Sequence, residues 1–218
     1  MATPDAIIFD LDGTLIHSAP DLHAAVNVAL VGLGRQPLSL ETVISFIGNG
    51  VEKLVERSLA ATGGGEIELH PATLDVFLKA YAADKVTLTQ PYDGVLDQLT
   101  ALKNAGIPMG VCTNKPQDPA REICDLLGLT HFFGDISGAL ADMPKKPDAA
   151  PLLEVARRLG AEPSRTLYVG DSVVDYETAR AAQMPFLLFK GGYLNAPLSQ
   201  LAPTQVFKTW SDVAFSLG

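Results

Sequence analysis

The sequence predicts an α/β fold, a parallel sheet with helices on both faces, carrying an all-helical block inserted after the first strand. Three observations predict it. Short apolar runs recur along the chain, each followed by an amphipathic stretch of helical length. One long segment, from about Ser18 to Val86, contains no convincing strand. The apolar runs end in acids, hydroxyls or lysines, and parallel sheets bind ligands at the carboxyl ends of their strands.

The strands are expected at Ala6–Phe9, Pro108–Cys112, Thr166–Val169 and Pro185–Phe189, with a weaker one at Gln205–Phe207. The helices between them are expected at Val95–Asn104, Ala120–Leu127, Ala150–Leu159 and Val174–Gln183. In the first of these, Val95, Leu96, Leu99 and Leu102 follow the i, i+3, i+4, i+7 spacing of one helical face. Gly106, Gly128 and Gly160 mark helix ends. Strands alternating with helices of this length build βαβ units, whose parallel strands are covered on both faces. The inserted block reads as helices in "PDLHAAVNVALVGLG", "SLETVISFIG", "VEKLVERSLAA" and "PATLDVFLKAYAADK", separated by the turns "GRQP" and "TGGGE". Residues 18–86 therefore form a helical subdomain, and residues 1–17 with 87–218 form the α/β core.

The chain has 218 residues, 47% of them hydrophobic, which is ample for one large domain with an insertion. Lys and Arg number 16 against 25 Asp and Glu, so the net charge is 16 − 25 = −9. That balance argues against a nucleic-acid footprint and against attraction to an anionic membrane surface. Cys112 and Cys124 match no zinc spacing and make no disulfide framework, so they read as core thiols in a reducing compartment. "MATPDAIIFD" lacks the basic and apolar regions of a signal peptide, and no run approaches the ~20 apolar residues of a membrane span. The expectation is a cytoplasmic protein; the oligomeric state is not legible.

The strand ends gather the chemistry. Asp10, Asp12 and Thr14 follow the first run, Thr113, Asn114 and Lys115 the second, and Gly170, Asp171, Ser172 and Asp175 follow "TLYV". Lys145, Lys146 and Pro147 stand before the helix starting near Asp148. Taken singly these have ordinary explanations: Asp171 as a helix N-cap, Thr113-Asn114 as turn chemistry, Lys146 as a solvated lysine. Four acids at one sheet edge, however, repel one another and raise each other's pKa values. A divalent cation and a lysine relieve that. Hard carboxylate oxygens without His or Cys favour Mg²⁺.

"FDLDGTL", "VCTNKP", "KKPD" and "YVGDSVVD" resemble, in order, the four motifs of the haloacid dehalogenase-like hydrolases. "DLDGTLIHSAPDL", "FIGNG", "YDGVLDQL", "TNKP" and the late "GGY" look most like the phosphoglycolate phosphatases of that superfamily. The resemblance implies a Rossmann-like core with a helical cap and a Mg²⁺-dependent phosphomonoesterase whose substrate is a small phosphorylated metabolite. It implies Asp10 as nucleophile, Asp12 as general acid and base, and Lys146 as the catalytic cation. Gly13, Thr14, Thr113, Asn114 and Lys146 would bind the phosphoryl group. Asp10, Asp12 through its carbonyl, Asp171 and Asp175 would hold the metal. In the cap, Gly48, Asn49, Gly50 and Lys53 would receive a substrate carboxylate at a helix start, although Asn49-Gly50 reads equally as a plain turn. Rival readings are a pyrophosphatase, a sugar-phosphate phosphatase or mutase, and a phospho-accepting receiver module. Asn49-Gly50-Val51-Glu52 carries no arginine of the kind mutases use for a second phosphate. A receiver needs neither a helical insertion nor a second acid. Three positions depart from the pattern: His17 where an acid is common, Asp148-Ala149 in the lysine loop, and Gln183 where a glycine is usual, a difference expected to matter only to packing.

Overall fold

The computed structural model describes residues 3–64, 69–83, 86–194, 197, 201–203 and 205–215. The expected turn "TGGGE" runs into residues outside this set, as does the end of "PATLDVFLKAYAADK". The described chain divides into two compact units: residues 1–17 with 91–218, and residues 18–90.

The first unit is built on a six-stranded sheet. Its strands are β1 (Ala6–Phe9), β4 (Met109–Pro116), β5 (Asp135–Ala139), β6 (Thr166–Gly170), β7 (Phe186–Phe189) and β8 (Gln205–Phe207), in the order β5-β4-β1-β6-β7-β8. Every pairing is parallel. Ala6, Ile7, Ile8 and Phe9 are completely buried, as a central strand covered on both faces requires. Helices α5 (Val95–Asn104), α6 (Gln117–Leu126), α7 (Ala150–Arg158) and α8 (Val173–Ala181) connect the strands. The chain leaves β1 toward β4 and β5 on one side and returns to β6 on the other. The carboxyl end of β1 is therefore the point where strand order reverses, the usual ligand crevice of such sheets.

The second unit holds α1 (Ala19–Gly32), α2 (Leu40–Ile44), α3 (Val51–Ala61) and α4 (Leu69–Ala83). Its second boundary falls at Gln90 rather than at Val86. Asp21, buried in the first turn of α1, explains the difference. Its carboxylate accepts bonds from the Leu88 and Thr89 backbone N–H groups and from the Thr89 hydroxyl at 2.6–3.1 Å, which keeps the returning chain with the helices.

Three strands escape the sequence reading. β5 is an edge strand whose "DISGA" has little apolar character, so its place depends on pairing with β4. β2 (Ile16–His17) and β3 (Gln90–Pro91) are two-residue strands paired with each other, too short to carry a periodicity. Helix ends follow the glycines: Gly106, Gly128 and Gly160 all have φ near +70°. α8 ends instead on Gln183 at φ +56°, with Met184 N–H bonded to the Ala179 carbonyl in a Schellman-type closure. The glycine departure at Gln183 is thus a matter of backbone conformation rather than packing. Among the described residues no helix is long and apolar enough to cross a membrane.

Candidate active site

β1 ends at Phe9, and the next residue, Asp10, sits at the switch point with 6% of its surface exposed. β6 delivers Asp171, and the first turn of α8 delivers Asp175. Each of Asp10, Asp171 and Asp175 offers an oxygen within 4.8 Å of the others. The local sequence enforces this. Ser172 caps α8 by accepting from Asp175 N–H, and Asp175 answers to the Ser172 backbone, a capping box. The N-cap is therefore Ser172, which leaves Asp171 for the site. Gly13, at φ +89°, runs against Asp171; a Cβ there would collide with its Oδ2 and with Tyr193. Gly13 thus permits the acid-rich loop to close rather than offering a side chain.

Lys146 lies among these acids, with its Nζ 2.9 Å from Asp10 Oδ1 and 2.6 Å from Asp175 Oδ1. Burying such charges costs several kcal/mol per ion unless they are paired and hydrogen-bonded. Asp175 meets that condition. Its Oδ1 accepts from Lys146 and from the Tyr168 hydroxyl, and its Oδ2 from Ser172 Oγ and the Asp171 and Ser172 N–H groups. Burial opposes its charge, but Lys146 and these donors hold its carboxyl below the usual range. Asp171 accepts from Thr14 Oγ1 at 2.8 Å and from Tyr193 N–H at 2.5 Å. That is insufficient: burial, then the Asp175 and Asp10 charges, push Asp171 well above the ordinary carboxyl value. Burial likewise pushes Asp10 up to about 6, against the pull of Lys146.

The pocket is short of positive charge. Asp10 Oδ1, although close to Lys146, accepts no aligned hydrogen bond. An orphaned buried oxygen and two carboxyls displaced upward fit a divalent cation, and an all-oxygen donor set suits Mg²⁺. The open valences belong to Asp10 and Asp171. Asp175, whose two oxygens already receive five hydrogen bonds, fits an outer role.

Some of the other expected residues are buried near the strand ends, and some make contacts of their own. Thr113 and Asn114 are buried at the end of β4. The Asn114 amide is engaged with the Lys146 backbone, Nδ2 to the carbonyl at 3.0 Å and Oδ1 from the N–H at 2.9 Å. Asn114 therefore fixes the lysine loop. Asp12 is held by Lys115, whose Nζ stands 3.1 and 3.0 Å from the two carboxylate oxygens. Lys115 was legible only as the residue after Asn114. Tyr168 gave no signal, hidden in an apolar run, and Tyr193 was legible only as the last residue of "GGY".

In the helical unit, Gly48 and Gly50 adopt φ +116° and +88°, and Gly50 caps α3. Lys53 is exposed and paired with Glu56 at 2.7 Å. Arg57 was missed: its guanidinium bonds the Phe46 carbonyl at 2.9 Å and Asn49 Oδ1 at 2.8 Å. Its spacing of seven from Gly50, two helical turns, is the signal that could have found it.

The description "Haloacid dehalogenase-like hydrolase" matches residues 7–189 as a family. A phosphoglycolate phosphatase of Cereibacter sphaeroides is 46% identical over 196 residues, covering 89% of this chain and 89% of its own. That of Rhodospirillum rubrum is 40% identical, covering 99% and 91%. A crystal structure described as a predicted phosphoglycolate phosphatase from Haemophilus somnus superposes with a TM-score of 0.91 at 29% identity, covering 97% of both chains. Strand order, acid cluster and relatives agree, and the chain belongs to the haloacid dehalogenase-like hydrolases.

Proposed function

We propose that this chain is a phosphatase that hydrolyses 2-phosphoglycolate to glycolate and phosphate. The observation that carries the reaction type is Asp10: a buried carboxylate at the strand-order switch point, beside a lysine, with one oxygen lacking an aligned donor. The substrate follows from relatives of 40–46% identity that carry the name phosphoglycolate phosphatase.

In the first step an Asp10 oxygen forms a bond to phosphorus while the bond from phosphorus to the glycolate oxygen breaks. Asp12 gives that oxygen a proton. In the second step Asp12 takes a proton from water, the water oxygen attacks phosphorus, and the acyl-phosphate bond returns its electrons to Asp10. Lys146 offsets the negative charge of the group transferred, with Thr113, near the end of β4, as a further phosphoryl-binding residue. Two residues apart just past the end of β1, Asp10 and Asp12 divide nucleophile from acid and base. Asp10, the Asp12 carbonyl and Asp171 would hold Mg²⁺, with Asp175 outside them, and the bound ion supplies neutralisation of phosphoryl charge.

The test is phosphate release from 2-phosphoglycolate, β-glucose 1-phosphate and pyrophosphate, with Mg²⁺ and after chelation. The expected result is the highest kcat/KM for 2-phosphoglycolate, lost with EDTA and restored by Mg²⁺. Full activity in a metal-free sample, or preference for another of the three, contradicts the reading.

A further inference from the structure

We propose that Tyr168 is a positioning residue of the phosphoryl-transfer site, its hydroxyl holding the Lys146 ammonium in place between Asp10 and Asp175. This inference rests on the phosphatase reading above. Tyr168 lies in β6 and is completely buried. Its ring belongs to an apolar cluster with Ile8, Cys112, Leu152, Val155 and Phe186. Phenylalanine would fill that space as well, since every buried neighbour in the cluster lacks a hydroxyl. The oxygen is useful only at its far end, which emerges beneath the acids.

Valence counting shows the use. An ammonium has three N–H donors. Lys146 Nζ donates to Asp175 Oδ1 at 2.6 Å and to the Tyr168 oxygen at 3.0 Å, and stands 2.9 Å from Asp10 Oδ1 as an ion pair without an aligned hydrogen bond. The phenol in turn donates its single proton to Asp175 Oδ1 at 2.8 Å, with the Cys112 carbonyl at 3.2 Å as the alternative acceptor. Lys146, Tyr168 and Asp175 thus close a triangle in which each edge is a hydrogen bond. Asp175 cannot draw the ammonium wholly to itself while the phenol occupies part of the same oxygen. Without the hydroxyl, one buried N–H loses its acceptor, and the ammonium is free to settle on Asp175, away from the nucleophile. The Asn114 clamp holds only the Lys146 backbone, with five side-chain bonds between Cα and the charged Nζ.

The experiment compares wild type, Tyr168→Phe, Lys146→Arg and the double variant in Mg²⁺, using 2-phosphoglycolate, with thermal melting of each. The inference expects Tyr168→Phe to melt near the wild type and to lose about 10- to 100-fold in kcat, the scale on which misplacing a catalytic group acts. KM should stay within about threefold. In the Lys146→Arg background, where a guanidinium fork sets its own geometry, the added loss should shrink to about threefold or less. An unchanged kcat, a loss that is fully additive in the arginine background, or a Tyr168→Phe chain that does not fold overturns the positioning role. A wild-type chain that releases no phosphate overturns the phosphatase reading itself, a failure visible before any variant is made.

Discussion

Lys146 and Lys53 occupy opposite situations in this molecule. Lys146 is buried at the strand ends of the core, ion-paired with two carboxylates and hydrogen-bonded to one of them and to a phenol. Lys53 lies on the exposed first turn of α3, paired with one glutamate on its own helix. Both are cations near a candidate anion site. Only the first is held where its charge would be expensive without partners, since desolvating an ion costs several kcal/mol and must be offset by fixed neighbours. A surface pair such as Lys53–Glu56 contributes little and dictates no geometry. The contrast teaches where to look for chemistry: at charges the fold has gone to the trouble of burying.

That contrast can be broken by substitution. The largest effect is expected at Asp10. Asp10→Asn keeps the shape and removes the nucleophile, so steady-state phosphate release should fall at least about 1,000-fold with circular dichroism unchanged. Retention of more than a small fraction of activity would remove the core site from the comparison. Lys146→Met comes next. It should lower kcat by about 100-fold or more and, by leaving Asp10 and Asp175 unpaired, destabilise the chain by about 3–5 kcal/mol in urea unfolding. A mild effect on both would place Lys146 with Lys53.

The helical side is sharpened by replacing Asn49-Gly50 with bulkier residues. If the start of α3 reads the substrate carboxylate, KM for 2-phosphoglycolate should rise several-fold while an aryl phosphate changes much less, in keeping with the ~0.3–2 kcal/mol a helix terminus gives an anion. Lys53→Ala tests the same idea at the cation. An equal loss on both substrates would reduce the turn to a structural element. The smallest effect lies away from both sites: Gln183→Gly relieves a left-handed residue and should stabilise the fold by about 1 kcal/mol, read as a higher melting temperature. A destabilised variant would show that the glutamine makes compensating contacts.

The sequence discloses the core better than its supports. Asp10, Asp171, Asp175 and Lys146 are legible because buried sheets punctuate apolar runs with polar groups only at their ends, and the structure brings all four together. Tyr168 is invisible for the same reason in reverse: inside "TLYV" it reads as one more core residue, and its hydroxyl matters only because β6 lies beside β1 and β1 beside β4. Lys115 and Asn114 were adjacent in the motif, yet their partners, Asp12 and the Lys146 backbone, are far along the chain. β5 was missed because "DISGA" carries only one strongly apolar residue, Ile136, and its pairing is supplied by β4. The domain edge at Gln90 was hidden in a single buried acid, Asp21.

The central claim is that Asp10 carries the phosphoryl group between substrate and water. Its most direct test is to quench wild-type enzyme during turnover of 2-phosphoglycolate with Mg²⁺, reduce with borohydride and map the product by peptide mass spectrometry. An acyl phosphate is reduced at its carbonyl, so the account predicts homoserine at position 10 and at no other aspartate. Turnover without any reduced aspartate, or with the label at Asp12, Asp171 or Asp175, would contradict it.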